Sequence, residues 1–487
     1  MDDVVAIAKG AAEYPVLAPF DPGEAYPEFP DLPAQAAPNT AFALVREALR
    51  LADLDAARYG TPGWNPLGRF VRPGQTVLLK PNFVRDHHPR DPDGLRYTVT
   101  HGSVIRAIAE YVVRALEGRG RLVLGDAPQT DSAFASIAAK TGVDKVAAQF
   151  VRRGVDFTLV DFRKEHWDEE DGVIVRRHAL PGDPAGYVAF DLGEHSRFAG
   201  HRGEGRYYGA YYDDREVNAH HRAGRHEYLI SGSAIQADVY VNIPKWKTHK
   251  KTGVTLNLKN LVGINGDKNW LPHHTEGHPG NGGDQFPGGS AIRTLERYAG
   301  RIARRAAVSV PIVGTHVLRA TRRMGTRVAG DTETVVRSGN WHGNDTTWRM
   351  ALDLNACLLW GLPGGVVRAS GPTKTYLGFV DGIVAGDGAG PLNPDPVSAG
   401  LIAFGTSPAH VDAACAWLSG FDPGLIPVIR EVYRDHLYRI GDGSWQDVRV
   451  VSNHAPWNAR LRDIPLRDSL SFRPHFGWVG AIERTGS

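Results

Sequence analysis

Cysteine is nearly missing from this 487-residue chain, which holds only Cys357 and Cys415. Two thiols cannot build a disulfide framework, a four-cysteine zinc site or a cysteine-ligated iron-sulfur cluster, and so low a thiol content suits a reducing cytoplasm. Long apolar runs are missing too. No stretch of about 18 apolar residues occurs, and Met1-Asp2-Asp3 lacks the basic and apolar regions of a secretory signal. A cytoplasmic protein is expected, if anything peripheral to the inner membrane face. Nor does charge of one sign prevail: 56 basic residues face 54 acidic ones. With no global field to draw in nucleic acid, an anionic partner has to be recognised locally.

What is present reads as α/β: parallel or mixed sheet layers flanked by helices, with a long insertion and a second α/β lobe. Seven prolines between Pro15 and Pro38 exclude a long helix or central strand there, so residues 1–39 are expected to form an extended arm on the surface. A first α/β segment spans 40–161, with a helix from Thr40 to Leu54, a strand Val77 to Leu79, a helix Ser103 to Leu116 and a strand Arg121 to Leu124. Residues 162–230, rich in charge, histidine and tyrosine, read as an insertion or cap. A lysine-rich core segment (231–290) holds the strand Ala237 to Asn242, and an arginine-rich connector covers 291–345. The second α/β segment (346–440) has a helix Trp348 to Trp360, a strand Tyr376 to Val380 ending at Asp381-Gly382, a glycine turn Gly386 to Gly390, and a last strand and helix. A tail of short strands and turns fills 441–487.

Open parallel sheets bind ligands beyond the carboxyl ends of their strands. Here those ends deliver Lys80 and Asn82, Asp126, Asn242 and Lys245, and Asp381 with Asp387. Taken singly, each could equally cap a helix or fix a turn. The densest signal is Asn242-Ile243-Pro244-Lys245-Trp246-Lys247-Thr248-His249-Lys250-Lys251-Thr252-Gly253, continuing through Asn257, Lys259 and Asn260. The chain has twelve lysines against a large excess of arginine, and six of the twelve fall between 245 and 268. An ammonium is a compact charge whose pKa can be tuned, able to bind an anion, act as a base or form an adduct. The alternative, a solvated basic turn, is disfavoured by the lack of acidic partners nearby. An anion site is therefore expected. Its substrate-binding candidates are Lys80, Asn82, Asn242, Lys245, Lys247, Thr248, Thr252, Asn257 and Asn260; its catalytic candidates are Lys259, His249 and His101. Asp126, Asp381, Asp387, His273 and His274 are candidate ligands for a divalent metal, although no helical zinc spacing occurs.

These residues resemble the family catalogued as domain of unknown function 362. The likeness rests on Lys80-Pro81-Asn82, Thr100-His101, Gly125-Asp126, Asn242 to His249, Lys259 to Gly263, Asp381-Gly382 with Gly388 to Pro391, and the helix carrying Asp412. Many relatives append a cysteine-rich ferredoxin module that this chain lacks. More distantly, His249 and Lys259 stand ten residues apart after a buried strand, as do a histidine and the cofactor-bearing lysine of the nickel-pincer lactate racemases. The segment between them differs in glycine and aromatic content, so a shared nickel-pincer nucleotide is not expected.

The functional expectation is an enzyme for a small anionic substrate or nucleotide-like cofactor, with acid-base chemistry of isomerase, lyase or transferase type. A noncatalytic binder of a phosphorylated glycan, lipid headgroup or nucleic acid is the alternative. Arginines flanking an apolar stretch within 301–327 suit peripheral contact with an anionic membrane.

Overall fold

A computed structural model describes residues 3–170, 173–210, 213–222, 224–289, 302 and 335–486. Its centre is a mixed eleven-stranded sheet. The apolar run Val4–Lys9 forms β1, and Thr76–Pro81, Arg121–Asp126 and Asp156–Asp161 form β2, β3 and β4. In the insertion, β5 (Glu165–Glu170) and β6 (Val173–Ala179) make a separate hairpin. Small sheets are also built from β7 (Tyr187–Asp191), β8 (Tyr207–Tyr208), β9 (His221–Arg222) and β10 (Arg225–Ser231). The central sheet resumes with β11 (Val239–Ile243), β12 (Lys245–His249) and β13 (Gly253–Thr255); β14 (His274–Thr275) pairs with β8. Last come β15 (Thr375–Ala389), β16 (Asn393–Val397), β17 (Leu401–Gly405) and β18 (Arg449–Ser452).

The path runs β18-β1-β17-β15-β11-β2-β3-β4, with β12, β13 and β16 branching from it. From β15 to β4 the neighbours are parallel, and β17 and β1 enter antiparallel. Parallel strands are covered on both faces, which is why these segments read as near-continuous apolar runs. The helix Gly102–Leu116 covers one face with Val104, Ile105, Ile108 and Val112, at the spacing of one helical side. Its first turn is closed by His101, whose ring accepts from the Ser103 N–H. On the other face lie Thr347–Trp360 and Pro408–Leu418, the latter begun by Ser407 at the cap and Pro408 in the first turn.

Three expectations change. The first 39 residues are more than a surface arm: β1 lies inside the sheet, and Tyr14, Phe20, Tyr26 and Phe29 are buried. Prolines keep the segment out of regular structure, but its aromatic side chains anchor it to the core. The strands of 346–440 join the same sheet as those of 40–161 rather than forming a sheet of their own. The strand expected to stop at Asp381 runs on to Ala389, so Gly386 to Gly390 is mostly strand. Glycine is required there by crowding, since a Cβ on Gly390 would lie 2.0 Å from the Thr248 carbonyl oxygen. The arginine-rich stretch 301–327 lies outside the described residues except for Ile302, and no helix among those described is long and apolar enough to cross a membrane.

Candidate functional site

Register alone brings the strand ends together: Asn242 sits opposite Lys80, and Leu79 opposite Leu124, two residues before Asp126. At this edge Lys80 Nζ meets Asp126 Oδ1 at 2.7 Å, an ion-pair contact without the alignment of a good hydrogen bond. Nζ also donates to the Pro81 carbonyl at 2.7 Å, while Asp126 Oδ2 accepts from the Phe83 N–H at 2.6 Å. The turn Leu261–Ile264 lies directly on this pair. A Cβ on Gly263 would fall 1.9 Å from Asp126 Oδ1 and 2.5 Å from Lys80 Nζ, so only glycine permits that approach.

The lysine-rich segment begins as β12 rather than a turn. Its alternation buries Trp246 in the apolar core and sets Lys245, Lys247 and His249 on the opposite side. Lys247 Nζ donates to the Thr98 carbonyl. Burial, then the fields of Lys259 and Lys245, drive its pKa well below the ordinary lysine value. His249 is 5% exposed, and its Nδ1 accepts from the N–H groups of Lys251 at 3.1 Å and Thr252 at 3.2 Å. Two donors on Nδ1 place the proton of the neutral ring on Nε2. Burial first, then nearby lysines led by Lys259, keeps the ring neutral by holding its pKa well down. His249, a catalytic candidate, thus presents Nε2 as a hydrogen-bond donor in the neutral ring.

Lys259 stands on the short helix Asn257–Asn260. Among the described residues no hydrogen bond or ion pair reaches its Nζ. Burial, followed by the charge of Lys80, lowers its pKa to about 8 although Asp126 opposes the shift. Lys268, donating to the Val262 carbonyl at 2.8 Å, is lowered to about 7, again chiefly by burial. Lys251 is held by the carbonyls of His273 at 3.1 Å and Ser338 at 2.6 Å, and its pKa is also lowered by burial.

The asparagines serve this helix. Asn82 donates to Asn260 at 2.9 Å, Asn260 to Asn242 at 2.7 Å, and Asn242 to the Tyr376 hydroxyl at 2.8 Å and the Asn257 carbonyl at 2.9 Å. Tyr376 donates in turn to Asn257 Oδ1 at 2.9 Å. Buried Asp412 closes the series by accepting from the Asn257 and Leu258 N–H groups, each at 2.8 Å, and from Asn257 Nδ2 at 2.9 Å. Desolvation raises its pKa to about 7. These amides, expected to bind substrate, bond to one another around the helix of Lys259, while Asn82 Oδ1 keeps no partner among the described residues. Thr248 and Thr252 likewise donate to the carbonyls of Gly388 and Val254, both at 3.0 Å.

A second polar group lies at the β12–β15 contact, where Lys245 pairs with Asp381 at 3.1 Å. Tyr14 from the N-terminal arm joins it, donating to Asp381 at 2.6 Å and accepting from Lys245 at 2.5 Å. His101 stacks on Tyr14 with ring centroids 4.1 Å apart, and its backbone N–H donates to Asp381 at 2.9 Å. Burial, then the field of Lys245, lowers the His101 ring to about 3. His101 therefore belongs with Lys245 and Asp381 rather than beside Lys259. Tyr14 had no local sequence signal.

With this geometry in place, comparison with known proteins adds a family. The profile described as domain of unknown function DUF362 matches residues 77–181 and 205–417. The chain belongs to the DUF362 family. A thylakoid-associated protein of Synechocystis sp. is 26% identical over 197 residues, 40% of this chain and 41% of that protein, so the match spans less than half of that relative. The DUF362 region holds Lys80, Asp126, His249, Lys259 and Asp412; Tyr14 lies before it.

The candidate metal ligands are not brought together. Asp126 and Asp381 are paired with lysines, and Asp387 with Arg473 at 2.6 Å. His273 Nδ1 meets the Leu271 carbonyl at 2.9 Å. Among the described residues no group of three or more His, Cys, Asp or Glu side chains converges. A cavity of about 290 Å³ lined by His201, Arg202, Asp284, Asp345 and Arg349 contains none of the lysines. Within it Asp345 lies 2.9 Å from Arg349 and 3.3 Å from His201, and the site residues named above lie outside it.

Proposed function

We propose that the chain is an enzyme for a small anionic substrate or nucleotide-like cofactor, received at Lys259 with His249 Nε2–H as a second donor. The observation that carries this reading is the Nζ of Lys259, which a buried amide network positions and which no hydrogen bond or ion pair reaches among the described residues. A largely desolvated charge without a partner is costly, and a bound anion removes that cost.

Acid-base chemistry fits the same group. With a pKa of about 8, Lys259 populates both ammonium and amine near neutral pH, so it can bind an anion or accept a proton from one. His249, neutral and with its proton on Nε2, can hydrogen-bond to an oxygen on which negative charge develops. Isomerisation, elimination and group transfer all use such a pair. In a noncatalytic binder the same residues would give saturation without turnover.

The test is native mass spectrometry of the protein purified from its own host, wild type beside Lys259→Met. A small anionic compound retained by the wild type and lost from the variant, then turned over when resupplied, is the expected result. Equal retention by both proteins would overturn the assignment to Lys259.

A further inference from the structure

Four lysines around the Lys259 turn have no ion-pair partner of their own, and the carboxylate that acts on three of them, Asp126, is already paired with Lys80. Lys247, Lys251, Lys259 and Lys268 form no ion pair among the described residues, whereas the neighbouring Lys80 and Lys245 each have one. Three of the four are anchored rather than paired: Lys247 is held by the Thr98 carbonyl, Lys251 by those of His273 and Ser338, and Lys268 by that of Val262. Lys259 is the common centre. Its charge acts on Lys247, Lys251, Lys268, His249 and His273 alike. Val262, which anchors Lys268, lies three residues beyond Lys259, and Gly263 brings the same turn onto Lys80 and Asp126.

A monocarboxylate would answer one of these charges and leave the others unmatched. An anion of two or more charges answers several of them, and ammonium groups bind phosphoryl oxygens as point charges. Resting on the anion-site reading above, we propose that the ligand carries a phosphate or diphosphate group of at least two negative charges, and that its binding draws protons onto the lysines that receive it. The uptake follows from linkage. A bound polyanion favours the ammonium form, so any lysine that is neutral in the empty site gains a proton when the ligand enters.

Lysines near pKa 8 and 7, as Lys259 and Lys268 are, are respectively about half and nine-tenths neutral at pH 8. Lys251, also lowered to about 7, adds to these, and Lys247 lies well below the ordinary value, so diphosphate binding at that pH takes up about two protons or more per molecule, and fewer at pH 6. Its affinity strengthens as pH falls from 9 to 6.5, as long as the ligand keeps its charge.

The experiment is titration calorimetry of the full chain with inorganic diphosphate, in two buffers of different ionisation enthalpy, at pH 6 and pH 8. The expected result is greater proton uptake at pH 8 than at pH 6, binding at least tenfold tighter than malonate, and a tenfold or greater loss in Lys259→Met. A nucleoside diphosphate that binds at least tenfold tighter than inorganic diphosphate identifies a nucleotide source; equal binding identifies the free group. Malonate binding as tightly as diphosphate, still dependent on Lys259, overturns the phosphoryl assignment and leaves the anion site standing. Diphosphate binding without proton uptake overturns the linkage. Failure of both anion classes to show any dependence on Lys259 overturns the site itself.

Discussion

Replacing Lys259 by methionine keeps the length and apolar stem of the side chain and deletes its charge. In the empty protein the lysine is lowered from 10.5 to about 8, mainly by burial. At 1.36 kcal/mol per pKa unit, holding the ammonium in the fold costs about 3 kcal/mol at pH 7, an upper bound because the side chain is partly exposed. Lys259→Met should therefore be more stable than the wild type at pH 7, by up to about 3 kcal/mol. With an unfolding entropy of about 2.1 cal/mol/K per residue, that corresponds to a rise of about 3 °C in Tm. The pH dependence has a definite sign. Because the folded pKa lies below the unfolded one, the penalty is complete below about pH 8 and is relieved as pH rises towards 10.5, where both states lose the proton. The stability gap between variant and wild type should shrink across that window. Thermal unfolding at pH 7 and pH 10, without added ligand, measures it. A variant less stable than the wild type at pH 7, or a gap that stays constant with pH, would refute the reading of Lys259 as an uncompensated charge and make it a structural brace.

Two other substitutions probe how the site is supported. Gly263→Ala forces the turn away from Lys80 and Asp126 and should destabilise the protein by about 3 to 5 kcal/mol, as breaking a buried ion pair does; a change below about 0.5 kcal/mol in urea unfolding would show that the pair does not depend on the close approach. Tyr14→Phe removes the hydroxyl shared by Asp381 and Lys245. It should cost about 1 to 3 kcal/mol and expose residues 11–38 to limited proteolysis, whereas an unchanged cleavage rate would mean that the arm is held by its other aromatic side chains alone.

Much of the sheet was legible because its strands are short apolar runs ending in polar residues, and its helices carry clear periodicity. The helix Gly102–Leu116 and strand β2 lie within a residue or two of their expected bounds. β1 was hidden by its neighbours: Val4–Lys9 is as apolar as any core strand but stands beside a proline-rich stretch that pointed to irregular structure. β12 was hidden by charge. The alternation Lys245-Trp246-Lys247-Thr248-His249 is a period of two with lysines where polar surface residues are usual, and only the buried Trp246 betrays that the strand is internal. The glycines of β15 suggested a turn because close approach by a neighbouring strand leaves no trace in the sequence of one strand alone.

The role of each site residue was harder to read than its location, for a physical reason. Residue type states what a side chain can do, and its hydrogen-bond partners decide what it does. Asn82, Asn242, Asn257 and Asn260 carry amides fit for a substrate, yet each finds another protein group first, and the result is a rigid seat for Lys259. His249 could carry protons in either direction, but two backbone N–H groups occupy Nδ1 and leave Nε2 as the donor of the neutral ring. Tyr14 completes the Lys245–Asp381 pair from 231 residues away in the chain, a separation that no local pattern spans. Lys259 was singled out because leucines and neutral amides surround it in the sequence, and in the fold no ion pair reaches it among the described residues. The local sequence holds no counter-charge for it, and in the fold the carboxylate that acts on it, Asp126, is itself paired with Lys80.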